Sequence, residues 1–221
     1  MPAERDGSSD RAVRPRDAAS LVVVDSVGDE PRILMGRRHA KMKFIPDAFV
    51  FPGGKLDAGD MLARPATRLS CVEHFGTDAK AQGLAMAAVR ETFEETGLLL
   101  AKTGDVGTAG GKGWEDFRTS GIAPDLGALE GLARAITPRQ SPIRFHARFF
   151  MTTADRLTGT LKGSGELEDL DWYPLSAALG LPVIDVTEFV LHEVRDIFLN
   201  GIRRARAPLY SYRNNKPFVR G

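Results

Sequence analysis

Arg90-Glu91-Thr92-Phe93-Glu94-Glu95-Thr96-Gly97-Leu98 places three carboxylates on one side of a predicted helix. Glu91, Glu94 and Glu95 stand at i, i+3 and i+4, positions that neighbour one another on a helical surface. Like charges so placed repel, and the cluster costs stability unless a positive charge sits among them. A divalent cation does this well, because Mg2+ and Mn2+ are hard ions that prefer carboxylate oxygens. A solvated acidic face is the alternative, and the helix residues alone leave both readings open. Two neighbours favour an organised site: Arg90 abuts the cluster, and Gly97 closes the polar run where a chain turns or packs closely.

Upstream, Phe51-Pro52-Gly53-Gly54-Lys55-Leu56-Asp57-Ala58-Gly59-Asp60 is a glycine-rich turn with two further carboxylates. Backbone groups in such a turn can approach phosphate or metal closely. The two stretches together resemble the signature of the Nudix hydrolases. That signature is Gly, five residues, Glu, seven residues, then Arg-Glu-hydrophobic-x-Glu-Glu-x-Gly-hydrophobic. Gly54 matches the first glycine, and Arg90, Glu91, Glu94, Glu95, Gly97 and Leu98 match the second half. Asp60 stands where the first glutamate belongs, one methylene shorter, which argues against it as a direct partner. Thr92 replaces a hydrophobic residue but keeps a methyl group. Positions 61–89 separate the halves where the family has seven residues, so an insertion at about 61–82 is expected inside the motif.

An interrupted motif resembles the family branch that includes mammalian peroxisomal coenzyme A diphosphatase-like proteins. Ile45-Pro46-Asp47-Ala48-Phe49-Val50-Phe51-Pro52-Gly53-Gly54-Lys55-Leu56-Asp57 follows that branch's stretch before its insert, and Ile136-Thr137-Pro138 and Arg144-Phe145-His146-Ala147-Arg148-Phe149-Phe150 echo a later one. The resemblance implies an α+β fold, the Nudix α/β/α sandwich with a mixed sheet. It also implies metal-dependent hydrolysis of a diphosphate in a nucleoside diphosphate linked to another moiety, with coenzyme A or acyl-CoA as the leading substrate. ADP-ribose, NADH and nucleotide sugars are alternatives, as is a Nudix-like module that binds a nucleotide without cleaving it.

By resemblance, Glu94 and Glu95 bind Mg2+ or Mn2+, Glu91 binds metal or orients water, the Gly54 carbonyl adds an oxygen, and Arg90 holds the glutamates in place. Glu166, six residues ahead of Trp172, is the candidate general base, with Glu168 second; a merely acidic loop is the alternative. Arg38 and Lys43 fall near the basic positions of the coenzyme A signature, although Asp47 occupies the place of a glycine. Guanidinium and ammonium groups both suit phosphate oxygens. Arg144 and Arg148 alternate on one face of a predicted strand and are further candidates for substrate binding; His146 on the same face is expected to be structural. Phe44, Phe49 and Phe145 could stack on a base, although such aromatics usually belong to the core.

The 221 residues suffice for one well-packed domain, and a formal charge of +1 supplies no field that argues for nucleic acid or an anionic membrane. The single cysteine, Cys71, excludes an internal disulfide framework and a Cys-rich zinc site. No apolar run approaches the roughly 20 residues that span a bilayer, and the first residues lack the apolar core of a secretory signal. The last residues, Phe218-Val219-Arg220-Gly221, do not match a peroxisomal tripeptide. A cytoplasmic enzyme acting on a small molecule is expected.

Residues 1–18 are rich in Ser, Asp, Arg and Pro and are expected to be poorly ordered, with one domain over 19–221. Leu21 to Val24, Arg32 to Arg37, Ala48 to Phe51, Ile143 to Thr153 and Asp171 to Tyr173 predict strands. Gln82 to Ala101 predicts the principal helix. Trp114 to Ser120 and Leu126 to Ala135 predict short helices, and Lys102 to Lys112 a loop. Thr187 to Gly201 predicts an amphipathic C-terminal helix packed on the core, with a homodimer contact as the alternative use of its face.

Overall fold

The computed structural model describes residues 13–42, 45–70 and 74–221. Lys43, Phe44 and Cys71 lie outside these residues. The chain opens with strands β1 (Arg16–Asp25), β2 (Arg32–Arg38), β3 (Phe49–Val50) and β4 (Gly53–Lys55). Helices α1 (Ala58–Leu62) and α2 (Asp78–Thr96) follow, then β5 (Leu98–Leu99), β6 (Ala101–Thr103), α3 (Lys112–Thr119) and β7 (Ile122–Pro124). Next come β8 (Glu130–Ile136), β9 (Phe145–Thr153), β10 (Thr158–Gly159) and β11 (Leu167–Pro174). Helices α4 (Leu175–Ala178) and α5 (Asp185–Phe198) precede a closing hairpin, β12 (Leu209–Arg213) and β13 (Lys216–Arg220).

The main sheet runs β11-β2-β1-β9-β8-β12-β13, with β3 on β2 and β4 on β1. It is mixed: β1 is parallel to β9 and β12 to β8, while the other pairs are antiparallel. The β-branched run of β1 explains its central place. Leu21 and Val23 enter the core shared with α2 and α3, whereas Val22 and Val24 enter the core shared with α4 and α5. Alternate side chains leave opposite faces of a strand, so one apolar strand nucleates both layers of an α/β/α sandwich. Among the described residues no helix is long and apolar enough to cross a membrane.

Three expectations change. Leu126 to Ala135 is not a helix: a 3-10 turn at Leu126–Ala128 gives way to β8. Leu126 and Leu129 imitate helical spacing, but pairing of Arg134 with Arg148 and Ala135 with Ala147 draws the segment into the sheet and buries Leu132, Ala133 and Ala135. β1 begins at Arg16, inside the segment expected to lack order, because Arg16 and Asp17 pair with Phe145 and His146. The principal helix starts at Asp78, where the Thr77 side chain caps the Lys80 amide, and it ends at Thr96 rather than Ala101.

Gly97 sets that end. It adopts φ 73°, donates its N–H to the Phe93 carbonyl, and lies where a Cβ would stand 2.9 Å from the Thr160 carbonyl oxygen. Both the left-handed backbone and the close approach exclude a side chain. Gly97→Ala should therefore lower unfolding stability by about 1–2 kcal/mol in urea denaturation. An unchanged midpoint would contradict this account of the helix end.

Candidate active site

The glycine turn and the C-terminal half of α2 face one another. The Gly53 N–H donates to Glu95 Oε2 at 2.9 Å, and a Cβ at Gly54 would overlap the Glu91 carboxylate. Only a bare backbone allows the turn to lie this close to the glutamates. Arg90 sits beneath them, 6% exposed. Its Nε donates to Asp60 Oδ1 at 2.8 Å and its Nη2 to Asp60 Oδ2 at 3.1 Å. Its Nη1 reaches Glu94 Oε2 at 2.8 Å, and Nη2 also reaches Glu91 Oε1 at 3.0 Å and the Lys55 carbonyl at 3.3 Å.

Asp60 is thus a direct partner of Arg90, contrary to the expectation from its length. The short helix α1 brings it close enough: Asp57 and Asp60 form a reciprocal capping box, with the Asp57 N–H donating to Asp60 Oδ2 at 2.8 Å. Trp114 Nε1 donates to Asp60 Oδ1 at 3.2 Å. The sequence signalled the box through the Asp57-x-x-Asp60 spacing, but nothing local signalled Trp114.

The carboxylates differ in their electrostatics. Burial pushes the Glu91 carboxyl up to about 7; Arg90 opposes this, while Glu94 and Asp60 add to it. Burial likewise pushes Glu95 up to about 8; the Gly53 N–H opposes this, Glu91 and Glu166 add to it, and Arg38 opposes it. Near neutral pH Glu95 is therefore mostly protonated and Glu91 about half so, chiefly because the charged forms lose water.

Arg38 and Glu166 belong to the same neighbourhood. Leu167 is paired with Arg38 across β11 and β2, and the Ser164 N–H donates to the Glu95 carbonyl at 3.2 Å. Glu168 is engaged elsewhere, by Arg37 at 2.8 Å. The same Arg37 binds Asp169 at 2.7 Å and Asp47 at 3.1 Å, joining the segment ahead of the glycine turn to the one after Glu166.

Arg144 and Arg148 are not brought to the carboxylates. Arg144 donates to the carbonyls of Val13 and Thr137. Arg148, 3% exposed, binds Asp17 at 2.6 Å and the carbonyls of His146 and Phe75. Asp17 also pairs with Lys80 in the first turn of α2, about 22 Å of helical rise from Glu95. Alternation on one strand face could not show that Arg148 is linked, through Asp17, to the start of α2 and not its end. His146 lies beside Arg148: burial first, then Arg148, pushes it down to about 4, so it is neutral at pH 7. Phe49 packs edge-on against Tyr173 at 5.4 Å and belongs to the core.

Because Glu91 and Glu95 bind protons more tightly folded than at their ordinary 4.5, the folded state gains protons relative to the unfolded one. Their contribution to stability is therefore complete below about pH 4.5 and lost as pH rises through about 7 and 8. Glu95→Gln removes the larger part. In metal-free buffer, Tm of the variant should rise relative to wild type between about pH 5 and about pH 9. A gap that stays constant with pH would contradict the burial described for Glu95.

No family-level sequence profile matches the chain. The crystal structure of a NUDIX hydrolase from Alicyclobacillus acidocaldarius superposes with a TM-score of 0.68 at 33% identity, covering 81% of this chain and 90% of that one. A curated relative from Caenorhabditis elegans, named for nudix hydrolase 7, is 28% identical over 170 residues, 71% of this chain. The chain covers 50% of the length of that relative. With the α/β/α sandwich and the arginine-centred carboxylate cluster in place, the similarity across almost the whole of the bacterial enzyme shows that this chain belongs to the Nudix hydrolase family.

Proposed function

We propose that the chain hydrolyses the diphosphate of a nucleoside diphosphate joined to another moiety, with coenzyme A or its acyl esters as substrate and Mg2+ or Mn2+ as cofactor. The observation that carries this reading is the close approach of the Gly53-Gly54 backbone to Glu95 and Glu91, which gathers carboxylates of one helix against a bare turn. Their donor chemistry fits a hard cation: carboxylate oxygens beside the exposed backbone of a glycine turn. Among the described residues, no three carboxylate, thiolate or imidazole groups are already gathered as a ready cage. Arg90 accounts for this by holding Glu94 and one oxygen of Glu91. Glu91, Glu94, Glu95 and the Gly54 carbonyl would hold the ion. When bound, it supplies positive charge against the diphosphate oxygens and acidifies water at the site.

The chain's own groups do the rest. Arg90 fixes the orientation of Glu91 and Glu94, and the Gly53 N–H fixes Glu95. Glu166, on the loop tied to the end of α2, accepts the proton of the attacking water. Arg38 meets the phosphate oxygens. The partial match to the coenzyme A signature around Arg38 favours that substrate.

The test is a panel of coenzyme A, an acyl-CoA, ADP-ribose, NADH and a nucleotide sugar with Mg2+ or Mn2+, read by the masses of both products. Coenzyme A should be split within its diphosphate, giving two phosphomonoesters, and Glu95→Gln should lower kcat by about 100-fold. Preferred cleavage of another compound in the panel would replace the substrate. Binding without turnover of any would identify a recognition module.

A further inference from the structure

We propose that Trp114 is a positioning residue for the carboxylate cluster, so that α3, which lies outside the family motif, completes the site. The inference rests on the hydrolytic reading above. It begins with Asp60, 1% exposed, which receives four N–H donors. Its Oδ2 accepts from Arg90 Nη2 at 3.1 Å and the Asp57 backbone at 2.8 Å; its Oδ1 accepts from Arg90 Nε at 2.8 Å and Trp114 Nε1 at 3.2 Å. A buried carboxylate oxygen stripped of one donor is not compensated by water. Without the indole N–H, Oδ1 would depend on Arg90 alone, and the guanidinium would be pulled toward Asp60 and away from Glu94 and Glu91.

The indole cannot swing to another partner. Trp114 is 1% exposed and packs on Phe117 at 5.1 Å, which meets Phe93 of α2 edge-on at 5.6 Å. The residue before it touches the other end of the same relay. A Cβ on Gly113 would overlap Glu94 Oε1 and stand 2.9 and 3.0 Å from Arg90 Cγ and Cδ. Two successive residues of α3 thus contact the Asp60–Arg90–Glu94 chain at both ends, one through a donated hydrogen bond and one through the side chain it lacks. Asp60 is one methylene shorter than a glutamate, and the indole supplies its fourth donor.

Trp114→Phe keeps an aromatic ring beside Phe117 but removes the N–H together with the pyrrole part of the indole, so its thermal midpoint is measured alongside wild type to separate loss of packing from loss of the donor. The expected result is a kcat lower by about tenfold with KM nearly unchanged, and Mn2+ binding, read by electron paramagnetic resonance of the free ion, weakened several-fold. Gly113→Ala should lower kcat further by displacing Glu94. A Trp114→Phe variant equal to wild type in both kcat and Mn2+ affinity overturns the inference while leaving the hydrolytic reading intact. Wild-type protein that neither binds Mn2+ nor turns over any diphosphate overturns both.

The two tryptophans, Trp114 and Trp172, allow a test that needs no folded variant at position 114. In a nitrogen-15 correlation spectrum assigned with Trp172→Phe, the Trp114 indole peak should shift on Mg2+ titration, as the glutamates redistribute between Arg90 and the ion. A peak that stays fixed while the metal binds counts against the coupling.

Discussion

A guanidinium removed from water among carboxylates organises this molecule. Burial alone would disfavour the charge on Arg90, yet the hydrogen bonds it donates to Asp60 and the fields of Glu91, Asp60 and Glu94 hold its pKa above the ordinary value. Breaking such a pair by removing one partner typically costs several kcal/mol, because the remaining charge stays buried. The arrangement also answers the repulsion among glutamates on one helical face. Arg90 neutralises part of it, through Glu94 and one oxygen of Glu91, and among the described residues it makes no hydrogen bond to Glu95.

Keeping the cluster in register with the glycine turn requires α2 to be fixed at both ends. At its start, Lys80 pairs with Asp17, which Arg148 also binds, and these contacts tie the helix to the two central parallel strands. At its finish, the carbonyls of Glu95 and Thr96 accept from Ser164 and Lys162. Between them, α2 packs against the face of β1 that carries Ala19, Leu21 and Val23. Arg148 contributes to the site by anchoring a helix, which differs from the contact with substrate expected for it.

Much of this was legible in the chain. The carboxylate spacing, the glycine turn and the apolar run at Leu21 to Val24 each depend on near neighbours, and local pattern reports near neighbours well. The failures at Leu126 to Ala135 and at Trp114 share one cause, long-range pairing. Leu126 to Ala135 carries a helical stripe that the sheet overrides, and Trp114 meets Asp60 from 54 positions away in sequence. Asp60 looked too short because side-chain length is visible in a sequence and the approach of α1 is not. The closing hairpin does carry a local turn signal, Asn214-Asn215, both at positive φ.

That hairpin leaves β13 as the outer strand of the sheet, with exposed Phe218 and Val219. Open strand edges invite further chains to add on. Here the edge is guarded: Pro217 lacks an N–H to offer, and Lys216 and Arg220 flank the apolar pair. Antiparallel stacking of two copies about Phe218 would set each lysine opposite an arginine, a repulsive match. The sheet can therefore terminate in the open without templating its own growth.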